Sequence, residues 1–139
     1  MSAHFAIKKA ESFCHAFGLQ VPILAAPMAG VSPPSLAIAV GNAGAIGACG
    51  ALLMKPQAIR EWASSVRTGT NGPFQINTWI PDPAPVRDLI NEARICEFIG
   101  AWGPAVDTAA ATTSLIDFEA QCEAMLDARP AIMSSIMGI

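Results

Sequence analysis

Few side chains in this 139-residue sequence are equipped to move a proton or attack a carbon. Its only histidines are His4 and His15, and both precede the first segment that reads as a strand. Sites in parallel α/β folds gather at strand ends, so neither histidine anchors a general-base mechanism. Cys14, Cys49, Cys96 and Cys122 are widely spaced, with no C-x-x-C pair and no histidine at ligand spacing. They read as small buried hydrophobes in a reducing compartment, and no metal site is expected. Ser134 and Ser135 have no partner base, which leaves a hydroxyl pKa far too high for nucleophilic attack. They read as hydrogen-bond formers at a strand end, and no catalytic residue is assigned. What remains is binding chemistry. The amide of Asn77 both donates and accepts, and a buried amide must be satisfied by a ligand edge or by a neighbouring loop. Gly41, Gly44, Gly47 and Gly50 recur every three residues. That spacing suits either close helix-to-strand contact or close approach of backbone to a flat ligand.

The elements that must position these groups alternate. Val21–Ala26 is a short apolar run broken by Pro27, and Ser32-Pro33-Pro34 follows as a helix start, with Ser32 the candidate N-cap. The helix then runs over Leu36–Ala43, Gly44 stops it, and Ala45–Gly50 is apolar enough for a strand buried on both faces. Strand, helix and strand in that order make a β-α-β unit. Lys55-Pro56 opens a second helix through Arg67, with Ile59, Trp62, Ala63 and Val66 as its inner stripe. Thr68–Gly72 is a turn and Phe74–Ile80 a strand. After the breakers of Pro81–Pro85, Val86–Ile95 reads as helix and Gly100–Thr113 as no definite element. Phe118–Ala128 is a helix with Phe118, Cys122, Met125 and Leu126 on one face, ended by Arg129-Pro130 before a last strand, Ala131–Met137. No internal repeat interrupts the pattern, which predicts one α/β domain with parallel strands over residues 1–139.

Composition narrows the class. Charged residues are 14% of the chain and the net charge is −3, so there is no basic footprint for a nucleic acid. Leu36–Met54 is apolar enough to raise the question of a membrane span, but its glycines and Asn42 favour a buried α/β core instead. The first seventeen residues scatter charges and lack a secretory apolar region, so a cytoplasmic protein is expected.

Two segments carry a resemblance. APMAGVSPPSLAIAVGNAGAIGACGA at Ala26–Ala51 and PFQINTWIP at Pro73–Pro81 resemble the nitronate monooxygenases, also called 2-nitropropane dioxygenases. Members of that family are FMN-dependent (β/α)8 TIM barrels with an APMAG-type turn after strand 1, a helix ending in SNAGG, and a third strand of the form PFGVNLFVP. Flavin-dependent enoyl-acyl-carrier reductases share nearly the same pattern. The resemblance implies that residues 1–20 form an N-terminal helical segment and 21–139 the first four β/α units. Such a barrel takes about 250 residues, so this chain corresponds to an incomplete N-terminal half whose open sheet edges invite self-association.

The same resemblance implies a flavin seat. Ala26, Pro27 and Met28 follow strand 1, Gly50 ends strand 2, and Asn77 sits near the end of strand 3. An isoalloxazine ring is flat and mostly apolar, with a polar edge that suits an amide and free backbone groups. Pro27 offers no N–H, and Met28 is soft enough to lie against a ring. Phosphate in barrels is held by loops after strands 7 and 8, which correspond to nothing in this sequence. In the better-known branch of the family, strand 4 ends in a motif like SFHFG, whose histidine deprotonates the nitroalkane. Ser134-Ser135-Ile136-Met137-Gly138 stands there, and Ile136 replaces the base. The implied activity is oxidation of alkyl nitronates by O2 to a carbonyl compound and nitrite. The alternatives are a truncated non-catalytic remnant, a half-barrel assembly module, or a relative of the enoyl reductases.

Overall fold

A computed structural model describes residues 3–83, 86–105 and 116–137. They group into two compact units, one of Met1–Pro81 with Ile116–Ile139 and one of Asp82–Leu115. In chain order the first unit holds α1 (Ala3–Phe17), α2 (Pro34–Asn42), β1 (Gly47–Gly50), α3 (Pro56–Gly69) and β2 (Phe74–Trp79). Helix α4 (Leu89–Gly100) belongs to the second unit, and the chain returns to the first with α5 (Phe118–Ala128) and β3 (Ile132–Ile136). The sheet is parallel and open, in the order β1-β2-β3. This is the α/β architecture with parallel strands that the alternation predicts. Residues 84–85 of the breaker run, 106–113 of the indefinite stretch with the two residues after it, and Gly138 lie outside the described residues.

Val21–Ala26 does not form a strand of its own. It meets the sheet through one parallel bridge, Leu24 to Ile46, and the turn after it through a second, Ala29 to Gly50. Ala25 N–H donates to Ile46 O (2.9 Å) and Ile46 N–H to Ile23 O (3.0 Å). The ladder goes no further because Pro22 and Pro27 have no N–H to give. Gln75 of β2 adds a side-chain tie, its Nε2 donating to Ala25 O at 2.7 Å.

Helix α2 starts at Pro34, whose fixed φ suits the first turn, and Pro33 is its cap residue. Ser32 does not cap it. Its hydroxyl instead accepts from Met28 N–H and donates to Met28 O, both at 3.0 Å, closing the preceding turn. The helix ends as expected before Gly44, which holds φ +80°. On α3, Ile59, Trp62, Ala63 and Val66 are all buried, as their spacing predicts. Trp62 stands edge-on to Phe74 of β2, with centroids 5.5 Å apart, and joins α3 to the sheet.

Two helices depart from expectation. The buried face of α5 is Gln121, Ala124, Met125 and Ala128, whereas Leu126 is 63% exposed. The polar residue wins because Gln121 Nε2 donates to the carbonyls of Ala51 (3.1 Å), Leu52 (3.3 Å) and Met54 (2.8 Å), fastening α5 to the loop after β1. Helix α4 starts three residues later than the sequence suggests and ends five residues later. Asp88 sets its start by accepting from Asn91 N–H at 3.1 Å. Among the described residues no helix is long and apolar enough to cross a membrane.

Candidate functional site

The sheet register brings four positions into one line at the C-terminal end of β1. Ala29 bridges to Gly50, Gly50 pairs with Asn77, and Asn77 pairs with Ser134. Side chains alternate along a strand, so Asn77 and Ser134 share one face. Trp79 and its partner Ile136 lie on that face two residues further on. The opposite face, with Cys49, Phe74 and Ile76, packs into the core with α3 and α5.

Asn77 is only 7% exposed. Its Nδ2 donates to Ser134 Oγ at 3.0 Å, and its backbone carbonyl accepts from Ala51 N–H at 2.7 Å. Its Oδ1 has no hydrogen-bond partner among the described residues. Beyond the amide, Trp79 and Ile136 are 42% and 50% exposed and give the end of the sheet an apolar surface.

The turn after Ala26-Pro27 is rigidly held. Val31 N–H donates to Met28 O (3.2 Å) beside the two Ser32 hydroxyl bonds, and Trp62 Nε1 donates to Ser32 O at 2.8 Å. Next to this turn lies a cleft of ≈ 440 Å³ walled by Met28, Val31, Pro33, Gly50, Met54 and Trp62. None of its lining residues carries a charge. The end of α2 beside it begins Pro33-Pro34, two residues without N–H groups, so it is a poor seat for an anion.

The five expected residues therefore fall in three places, and only two of the residues line the cleft. Met28 and Gly50 wall the cleft, and Asn77 is one register step from Gly50. Ala26 and half-buried Pro27 lead into the turn and stand outside the cleft lining. The glycine spacing is resolved toward packing. A Cβ at Gly41, Gly44, Gly47 or Gly50 would lie 2.9, 2.5, 2.8 or 2.6 Å from another part of the chain. At Gly50 the obstacle is the backbone of Ala29 and Met28, so the space a side chain would fill is taken by the turn.

No titratable side chain stands in the line from Ala29 to Ser134 or in the pair beyond it. His4 and His15 are exposed on α1. The cysteines are less uniform than expected: Cys49 is buried, Cys14 and Cys122 are half-buried, and Cys96 is exposed on α4. Burial pushes the Cys49 thiol up to about 12, and its S–H points at Met54 Sδ, 3.5 Å away. It is an inert core thiol. Sequence reasoning passed over Trp79, which the period of two from Asn77 marks as sharing its face. The Asn77 to Ser134 contact carries no local signal, because it depends on strands 57 residues apart.

A sequence model described as nitronate monooxygenase matches residues 11–139. A nitronate monooxygenase of Paraburkholderia phytofirmans is 35% identical over 128 residues, which is 88% of this chain and 35% of that protein. A nitronate monooxygenase of Pseudomonas aeruginosa is 38% identical over 73 residues, 52% of this chain and 21% of that protein. Among solved structures, nitroalkane oxidase from Streptomyces ansochromogenes superposes with a TM-score of 0.69 at 25% identity, covering 90% of this chain and 36% of its own. The chain thus spans 35% or less of the length of these two sequence relatives.

Proposed function

Because this chain belongs to the nitronate monooxygenase family, we propose that its sheet carries the ring-facing wall of an FMN site at which alkyl nitronates are oxidised by dioxygen to a carbonyl compound and nitrite. The observation that carries the reading is the line of Ala29, Gly50, Asn77 and Ser134 at the strand ends, beside an uncharged cleft. The donor set fits the flat part of the cofactor. Met28 and Trp79 offer soft and aromatic surface, and the buried amide of Asn77 offers an unpaired acceptor to a ring edge. It does not fit the anionic end, because the cleft lining has no cation and α2 begins on two prolines. When bound, the flavin supplies the two-electron acceptor and the route to dioxygen.

The chain's own residues bind and orient. Gly50 brings the 28–29 backbone to the sheet, Asn77 fixes the ring edge, and Trp79 with Ile136 presents apolar surface to the alkyl part of the substrate. Isoleucine exchanges no proton, so Ile136 provides no general base where the resemblance places a histidine. The substrate that matches is a nitronate, which arrives already deprotonated.

Fluorescence titration of the chain with riboflavin and with FMN tests this reading. Ring recognition without a phosphate seat predicts that both flavins bind, with dissociation constants within about threefold of each other, a gap smaller than the net worth of one charge-assisted hydrogen bond. A chain that quenches neither flavin refutes the assignment. In turnover assays the reading predicts nitrite from propyl-2-nitronate and none above background from neutral 2-nitropropane.

A further inference from the structure

We propose that the cavity between the turn before β2 and the turn before β3 is a binding site for a phosphate group, free in solution or carried by a small ester. It opens at the starting end of β2, away from the Gly50 to Asn77 line, and does not depend on the flavin reading. The cavity measures ≈ 420 Å³ and is walled by Arg67, Thr70, Asn71, Gly72, Arg129 and Ala131 beside Pro73 and Phe74. Both arginines are exposed to solvent, and no carboxylate stands among the described lining residues. Arg60 and Arg87 are paired with Asp127 and Glu92, whereas the Arg129 guanidinium has no partner among the described residues. Arg67 is anchored before any ligand arrives. Its Nη2 donates to Ala128 O and, at 3.2 Å, to Arg129 O, and its Cζ lies 5.1 Å from the centre of the Phe74 ring. Nε and Nη1 keep no hydrogen-bond partner among the described residues, so an ordered fork has donors to spare, and ordering it costs a ligand little. The turn is stiffened as well, because Thr70 Oγ1 accepts from Gly72 N–H at 3.0 Å, and the N–H of Asn71 between them is unpartnered among the described residues. Arg129 holds φ +44° at the end of α5, where glycine is the usual residue. Arg67 already serves the last carbonyls of that helix, so capping does not explain a second, strained cation. Two guanidinium groups lining one cavity repel each other, and an oxyanion with two negative charges relieves both while matching their planar forks.

The experiment follows the Asn71 and Gly72 N–H and arginine Nε–H signals of the ¹⁵N-labelled, flavin-free chain as inorganic phosphate is added at constant ionic strength. Saturating shifts at these groups are expected. Glycerol 3-phosphate in a second titration distinguishes the sources: the same shifts mark a seat open to esters, and a response to inorganic phosphate alone marks a seat for the free ion. Arg129→Gln raises the phosphate dissociation constant about three- to tenfold, the fold-change of one net hydrogen bond at an exposed site. Arg94→Gln, which removes the same charge from α4, leaves it unchanged. Arg129→Gly separates binding from folding, because glycine suits the left-handed backbone: its urea midpoint stays at or above that of the wild type while phosphate binding weakens as in Arg129→Gln. A lower midpoint with phosphate affinity unchanged shows that Arg129 serves only the end of α5 and overturns the proposal. Chloride or acetate reproducing the shifts at matched ionic strength, or no shift with phosphate at all, overturns it too.

Discussion

At the scale of single residues, burial rather than residue type sorts the chemistry. Four cysteines look alike in the sequence, yet only Cys49 is enclosed, at 1% exposure, and its thiol is pushed up to about 12 by desolvation. The unfolded chain ionises this thiol near 9.0, so between pH 9 and about 12 the unfolded state sheds a proton that the folded state retains. Stability contributed by the buried neutral thiol is therefore complete below pH 9 and is lost as pH climbs toward 12. The same enclosure governs reactivity. Brief alkylation with iodoacetamide at pH 8, read by peptide mass, is expected to modify exposed Cys96 first and Cys49 last. Equal labelling of the two would contradict the enclosure of β1. Asn77 is sorted by the same physics. It is only 7% exposed, and its Nδ2 donates to Ser134 Oγ on the neighbouring strand at 3.0 Å.

Elements are held in place by a few side-chain ties that hydrophobic periodicity does not reveal. Gln121 is the clearest: one buried amide on α5 serves three carbonyls of the loop that follows β1. Gln121→Leu keeps comparable bulk but removes the donor to the Leu52 and Met54 carbonyls, while Ala51 O keeps Met54 N–H at 2.9 Å, and the cost expected is about 1–2 kcal/mol. Urea unfolding followed by circular dichroism checks it, and a midpoint unchanged from wild type would mean the loop finds other partners. This tie also explains where the sequence was and was not legible. The α3 stripe of Ile59, Trp62, Ala63 and Val66 could be read because every member is apolar and recurs at helical spacing. The α5 face could not, because its key member is polar and its reward lies some 70 residues away. Residues 21–26 read as a strand on apolarity alone, while Pro22 and Pro27 limit the segment to isolated bridges. For the candidate site, Met28, Gly50 and Asn77 were accessible through motif likeness. The line joining them to Ser134 needed the register, which is a property of the assembled sheet.

On the scale of the whole molecule, the described sheet is bonded on one side only at each margin. Strand β3 pairs with β2 and with no other described segment, and residues 24 and 29 pair only toward β1 and its leading residue Ile46. Both margins carry exposed apolar side chains, Ile23 at 57% and Met133 at 42%; Pro22 and Pro27 blunt the first margin, whereas β3 carries neither lysine nor proline. Backbone groups without partners next to apolar surface favour edge-to-edge pairing, so the weight-average mass in sedimentation equilibrium is expected to rise above 14.4 kDa as concentration increases. Met133→Lys places a charge on the β3 margin without touching the line of Ala29, Gly50, Asn77 and Ser134, and should lower that association while leaving riboflavin affinity alone. The second unit offers a separate apolar surface on α4, with Leu89, Ile90 and Phe98 between 68% and 79% exposed. Association that persists in Met133→Lys would therefore shift the contact to the margin at residues 24–29 or to α4, and a constant mass of 14.4 kDa across concentrations would remove the edge argument altogether.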